Sequence, residues 1–315
     1  PAGRVHSIDA LRGFDMFWIV GGGTLVERIL TLMHTPEAIT RQFEHSAWNG
    51  FTFEDLIFPL FLFIAGLTVP FSLVKRSERG DSKRGLVGHI LKRVVILFAL
   101  GLVYNGILDF RFAYMRWVGV LQRIALAWGA AALIAVFFRT VRALAIWAGA
   151  ILVGYWAVMM LVPVPGFGAG VLTPEGNLAS FVDRLVLPGR FCCFDFGDNE
   201  GVLSTIPAVA TALLGVLAGN WLRGSRSGRD KTIGLLAAGV ASLIAAVIWG
   251  LAFPINKLLW TSSYVLFAAG WSLLLLAVFF WIIDVKGWKK WSFFFTVIGM
   301  NSITIYVASD LFDFR

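Results

Sequence analysis

The residues best suited to chemistry gather in Glu44-His45-Ser46-Ala47-Trp48-Asn49-Gly50, followed at once by Phe53-Glu54-Asp55-Leu56-Ile57-Phe58-Pro59. A histidine titrates near neutral pH, so His45 beside carboxylates is suited to proton transfer. If the stretch is helical, Glu54 and Asp55 lie one to three turns deeper than the histidine. Asp55 is then placed to orient the imidazole and stabilise its charged form, as a carboxylate does in a triad. An interfacial histidine within a tryptophan belt is the alternative reading of the same residue.

Other polar residues stand where apolar ones are expected. Gln122-Arg123 enters one apolar run, and Glu200, Ser204, Pro207 and Thr211 recur at helical spacing in another. Asn256-Lys257 precede Thr261, Ser262, Ser263 and Tyr264, while Asn301, Ser302, Thr304, Tyr306 and Ser309 follow near the end. Asp9, Arg12 and Asp15 fall within about 120° of one helix face. They form either an internal ion pair with a spare carboxylate or an anion ligand at Arg12. A charge at mid-bilayer costs about 3 kcal/mol on the insertion scale. A packing hydrogen bond would explain one such helix; five predict a shared polar cavity.

The elements that must carry these groups follow from composition. Of 315 residues 58% are hydrophobic and only 15% charged, with mean hydropathy +0.79. That excludes an ordinary soluble enzyme, a disordered chain and a collagen-like one. An all-α, polytopic transmembrane bundle remains, one domain over residues 1–315. Runs of about 20 apolar residues predict nine spans near 8–28, 51–73, 86–108, 118–138, 144–161, 201–221, 232–253, 258–283 and 291–311. Long external loops are expected at 29–50 and 162–200.

The net charge of +8 reads as a topology signal, not as a nucleic-acid signal. An N-terminus on the cytoplasmic side leaves 17 of the 27 Lys and Arg residues there. The first run is long and contains charges, so it reads as a retained helix and not a signal peptide. Gly21-Gly22-Gly23 has neither the preceding strand nor the lysine of a nucleotide loop, and is expected to break the first helix. Gly215 to Gly219 is a small-xxx-small contact, available within one protomer or between two in a homodimer. Adjacent Cys192-Cys193 builds neither a disulfide framework nor a zinc site, and no metal is expected. An odd number of spans suggests a further helix beyond this sequence.

Seven segments, in order, resemble the heparan-α-glucosaminide N-acetyltransferase family. They are Ser7-Ile8-Asp9-Ala10-Leu11-Arg12-Gly13, His45-Ser46-Ala47-Trp48-Asn49-Gly50, Asp55-Leu56-Ile57-Phe58-Pro59 and Gly119-Val120-Leu121-Gln122-Arg123. Glu200-Gly201-Val202-Leu203-Ser204-Thr205, Asn256-Lys257-Leu258-Leu259-Trp260 and Gly299-Met300-Asn301-Ser302-Ile303 complete the set. The resemblance implies a bundle of about ten spans that takes acetyl-CoA from the cytosolic side and acetylates an amine, such as that of an amino sugar, on the far side. The family's catalytic histidine falls in the segment matched by His45, and an asparagine of its first helix aligns with Ile19.

On that reading His45 and Asp55 are catalytic, with the histidine acting either as the base for the acceptor amine or as the group that first takes the acetyl. Trp48, Asn49, Arg123, Glu200, Asn256 and Lys257 are expected to bind the sugar acceptor. Arg12, Ser262 and Asn301 are expected at the acetyl-CoA end. The absence of an Asn-X-Ser/Thr sequon suits a bacterial inner-membrane relative surrounded by lipid. O-acetylation of an envelope polysaccharide and solute transport are the competing readings.

Overall fold

The computed structural model describes residues 5–192 and 195–311; Arg4, Cys193 and Arg315 lie outside them. The first predicted span is broken. α1 (His6–Phe17) passes through a π-turn at Trp18–Gly22 into α2 (Gly23–Leu32), and the one-turn α3 (Glu37–Thr40) follows. Gly21 has φ of 117°, a conformation that glycine adopts at little steric cost. The glycine run therefore breaks the helix as expected.

α4 (Phe53–Leu67) and α5 (Val69–Glu78) run on as one apolar stretch, and α6 (Lys83–Tyr104), α7 (Val120–Phe137) and α8 (Val141–Leu161) come next. The short α9 (Leu178–Val186) lies in the 162–200 loop; α10 (Thr205–Arg223), α11 (Gly228–Gly250) and α12 (Ser262–Phe279) follow it, the last continuing to Val285. Among the described residues these give seven helices long and apolar enough to cross a membrane, matching seven of the predicted spans. Several start on a side-chain cap: Ser82, Thr140, Ser227 and Thr261 each accept a backbone N–H from the first turn, which satisfies a donor that would otherwise be orphaned.

The ninth prediction also needs correction. Residues 291–311 form α13 (Phe293–Met300) and α14 (Ser302–Leu311), interrupted at Asn301. Asn301 has φ −117° and ψ 20°, and its Nδ2 donates to Val297 O. The two broken helices pack together through glycine: a Cβ on Gly13 would strike Phe295 O, and one on Gly299 would strike Asp9 O.

The bundle has an inner and an outer ring. In the apolar window of α7, 67% of residues are buried inside the protein, against 17% in α11. The outer helices α6, α8 and α11 thus spend their apolar side chains on lipid, while α4, α7, α10 and α12 bury theirs on each other. α10 lies against α4 through Gly215 and Gly219, which face Phe63 O and Leu67 O, and through Gly66, which faces Ala212 O. The small-xxx-small face is consumed inside the protomer and offers no dimer contact.

Gly215→Ala should therefore destabilise the bundle by about 1–3 kcal/mol, the usual range for overpacking. Thermal unfolding in detergent, followed by tryptophan fluorescence, should show a lowered midpoint. Gly149→Ala, which places its methyl in open space on α8, should leave the midpoint unchanged.

Candidate active site

The start of α4 builds the chemical centre. Asp55 sits at the third helical position after Thr52, and its Oδ2 accepts from Thr52 N–H, Thr52 Oγ1 and Ser46 N–H, each at 3.2 Å. Its Oδ1 lies 3.1 Å from His45 Nδ1 and 3.3 Å from Lys257 Nζ. The Asp55 carbonyl accepts from the buried Tyr264 hydroxyl at 2.7 Å. The carboxylate is fully buried, whereas the His45 side chain is 59% exposed. Five donors around one buried anion offset its desolvation.

Lys257 Nζ is also 3.0 Å from His45 Nδ1. One nitrogen cannot donate to Asp55 and accept from Lys257 at once. If Lys257 donates to Asp55, the imidazole keeps its proton on Nδ1 and Nε2 carries a free lone pair, the form required of a base. If Lys257 donates to Nδ1, the proton moves to Nε2 and that lone pair is lost. Burial draws the Lys257 ammonium below its usual pKa, while the adjacent Asp55 charge resists.

Asn256 and Asn49 hold this lysine in place. Asn256 Oδ1 accepts from Leu259 N–H at 2.8 Å, and its Nδ2 donates to Asn49 Oδ1 at 3.1 Å. Both asparagines stiffen the turn before α12 and stand behind the cavity wall. Ser262, expected near the donor, instead gives its hydroxyl to Leu152 O at 2.7 Å; it joins α12 to α8. The Trp48 indole donates to Leu172 O at 3.0 Å and meets Phe196 edge-on, so it anchors the 162–200 loop rather than offering a free face to a sugar.

One cavity of about 820 Å³ receives His45, Asp55, Lys257 and Glu200 at one end and Arg12, Arg93 and Asn301 at the other. Asp55 and Thr68 both line it, so it follows α4 for about 20 Å at 1.5 Å per residue. Phe58, Phe61, Leu97 and Ile124 supply its apolar walls. At the far end Arg12 Nη1 donates to Gly299 O at 3.3 Å and lies 3.6 Å from Asp9. The Arg93 guanidinium stands 4.5 Å over the Trp128 ring. Arg93, one of the 17 basic residues counted towards topology, is not expected at the site from sequence; its position inside the 22-residue α6 is the signal that could have placed it there. Ile19 lines the wall as well.

Glu200 is less free than the sequence suggests. Arg116 holds it and Asp198 together, with Nε donating to Asp198 at 2.8 Å. Burial alone would lower the Arg116 guanidinium's pKa, but hydrogen bonding to Asp198 and the charge of Glu200 raise it above its usual value. Arg123 is buried behind the wall, donating to Ser204 Oγ at 2.5 Å and lying 4.8 Å over Trp260. It supports Trp260, a wall residue, and does not itself line the cavity. Asp183, buried below the same loop, accepts Val202 N–H at 2.9 Å and Asp198 N–H at 3.3 Å. Burial pushes its pKa up to about 6 against those two donors.

The helical bundle thus carries an imidazole–carboxylate pair at one end of a long slot and guanidiniums at the other. Residues 5–312 match the acyltransferase domain family, and the chain belongs to it. Human heparan-α-glucosaminide N-acetyltransferase is 29% identical over 370 residues, covering 98% of this chain and 53% of the human protein. The mouse enzyme of that name is 29% identical over 371 residues, covering 99% of this chain and 54% of its own. The chain thus spans about half the length of these relatives.

Asp183 gives a pH test of the 162–200 loop. Between the ordinary carboxyl range and about 6, the folded protein holds a proton that the unfolded chain has lost. This stabilising contribution is present at low pH and disappears as pH rises through about 6. Relative to Asp183→Asn, the wild type should lose about 2 kcal/mol of stability between pH 4 and pH 7. Paired unfolding curves at the two pH values check the sign.

Proposed function

We propose that the protein is a transmembrane N-acetyltransferase that moves the acetyl group of cytosolic acetyl-CoA to an amino sugar, glucosamine-like, on the opposite side of the membrane. The observation that carries this reading is the single slot joining Arg12 and Arg93 to His45, Asp55 and Lys257. Coenzyme A is a polyanion and cannot cross hydrocarbon unaided. Two guanidiniums suit its phosphates, and the apolar walls suit the pantetheine arm that brings the thioester to His45. The excess of Lys and Arg on the side of the N-terminus supports a cytoplasmic N-terminus, and the absence of an Asn-X-Ser/Thr sequon supports a bacterial inner-membrane setting.

At the outer end the acceptor amine loses a proton to His45 Nε2 as its nitrogen attacks the thioester carbon. Asp55 keeps the other imidazole proton on Nδ1 and stabilises the imidazolium that forms. Lys257 faces the same carboxylate, so the pair stays compensated in both protonation states. Glu200, fixed by Arg116, and Asn301 complete the polar lining at the two ends.

Purified protein should release coenzyme A from acetyl-CoA in a glucosamine-dependent way. His45→Ala should lower turnover at least about 100-fold while leaving acetyl-CoA binding intact, and Asp55→Asn should do so through the wrong tautomer. Full turnover by a folded His45→Ala protein would remove the histidine from the chemistry, and failure of the folded wild type to bind acetyl-CoA would overturn the reading altogether.

A further inference from the structure

Among the described residues three carboxylates line the cavity: Glu54, Asp55 and Glu200. Two of them are already taken. Asp55 is closed in by Thr52, Ser46, His45 and Lys257, and Glu200 is held by Arg116. Glu54 differs from both. It is half-buried on the wall, and its Oε2 is buried with no hydrogen-bond partner. The cation at this end is engaged elsewhere, since Lys257 Nζ lies 3.3 Å from Asp55 and 3.0 Å from His45.

The local sequence explains how this carboxylate is placed. Phe53, the residue before it, packs edge-on against Trp18 with ring centroids 4.9 Å apart, and against Phe43 at 5.8 Å. Those contacts seat the first turn of α4 on the break in the first helix. Glu54 Oε2 then comes to rest beside Gly23, where a Cβ would stand 3.0 Å from it. The next side chain along α4 is Asp55, whose carboxylate lies 3.1 Å from His45. Glu54 thus stands on the same helical turn that orients the imidazole.

A carboxylate oxygen kept from water and without a donor costs free energy, and a ligand that brings N–H groups removes that cost. An ammonium brings three donors and a positive charge, whereas a sugar hydroxyl brings one donor and no charge. A charge-assisted hydrogen bond is also about twice as strong as a neutral one. We infer that Glu54 is the seat of the acceptor's ammonium group: it holds a cationic amine at the His45 end of the cavity and makes the protein select amines over hydroxyls. This rests on the acetyl-transfer reading. It concerns recognition of the acceptor and leaves the chemistry to His45, so Glu54 is a specificity-determining residue.

Calorimetric binding of glucosamine, and of glucose as its hydroxyl counterpart, to the purified full chain tests this without turnover. The wild type should bind glucosamine about 10-fold or more tightly than glucose, and Glu54→Gln, which keeps the shape and removes the charge, should bring the two affinities within about twofold. Glu54→Asp should retain part of the preference. In transfer assays Glu54→Gln should raise KM for glucosamine by the factor lost in binding, with acetyl-CoA binding unchanged; a merely structural role would weaken both sugars alike. A wild type that binds no glucosamine, or binds the two sugars equally, overturns the assignment, as does a preference that survives in Glu54→Gln. If the preference disappears with Glu54 but the wild type transfers no acetyl group, the ammonium site stands and the acetyl-transfer reading falls. Should Glu54→Gln not fold, Glu54→Ala is read on the same ratio.

Discussion

The structure turns on the buried carboxylate of Asp55. A single charge with no access to water is admissible only when several donors surround it, and meeting that demand organises three parts of the chain at once. Thr52 joins it to the first turn of α4, Ser46 and His45 bring the preceding loop down upon it, and Lys257 draws in the turn before α12. Tyr264 then fixes α12 to the backbone of the same residue. Helix initiation and imidazole orientation share one anion, so neither can be changed alone.

The cavity follows from a related constraint. Helices α4 and α10 meet through glycine, which brings their backbones close, whereas large or charged side chains line the cavity. Phe58 and Phe61 on α4, Arg93 on α6 and Trp128 on α7 are among them. Polar groups are confined to the two ends, and hydrocarbon side chains separate them. That distribution suits a ligand with a charged head, an apolar arm and a reactive tip.

Much of this was legible in the sequence because the membrane enforces simple rules. Apolar length located seven helices, and the glycine run foretold the break near Gly21. The His45–Asp55 pair could be read because ionisable residues are rare in so apolar a chain. What escaped was long-range. Nothing local tells that Asn256 and Asn49 bond each other, that Ser262 turns towards Leu152, or that Arg116 claims Glu200. Arg93 was hidden by Lys92, since a pair of adjacent basic residues reads as topology even inside an apolar helix. Asn301 and its neighbours looked like one continuous span because hydropathy averages over the short break.

The pairing of the two broken helices has a consequence for how the protein is made. Gly13 and Gly299 meet backbone to backbone, and the Arg12 guanidinium bonds a carbonyl 287 positions away. The Arg12 wall of the slot is therefore contributed by two segments 287 positions apart. During synthesis α1 emerges with its charges long before its partner exists. Membrane insertion must hold Asp9, Arg12 and Asp15 in a provisional environment until α13 arrives, so the slot is completed only after the residues near 300 have been made.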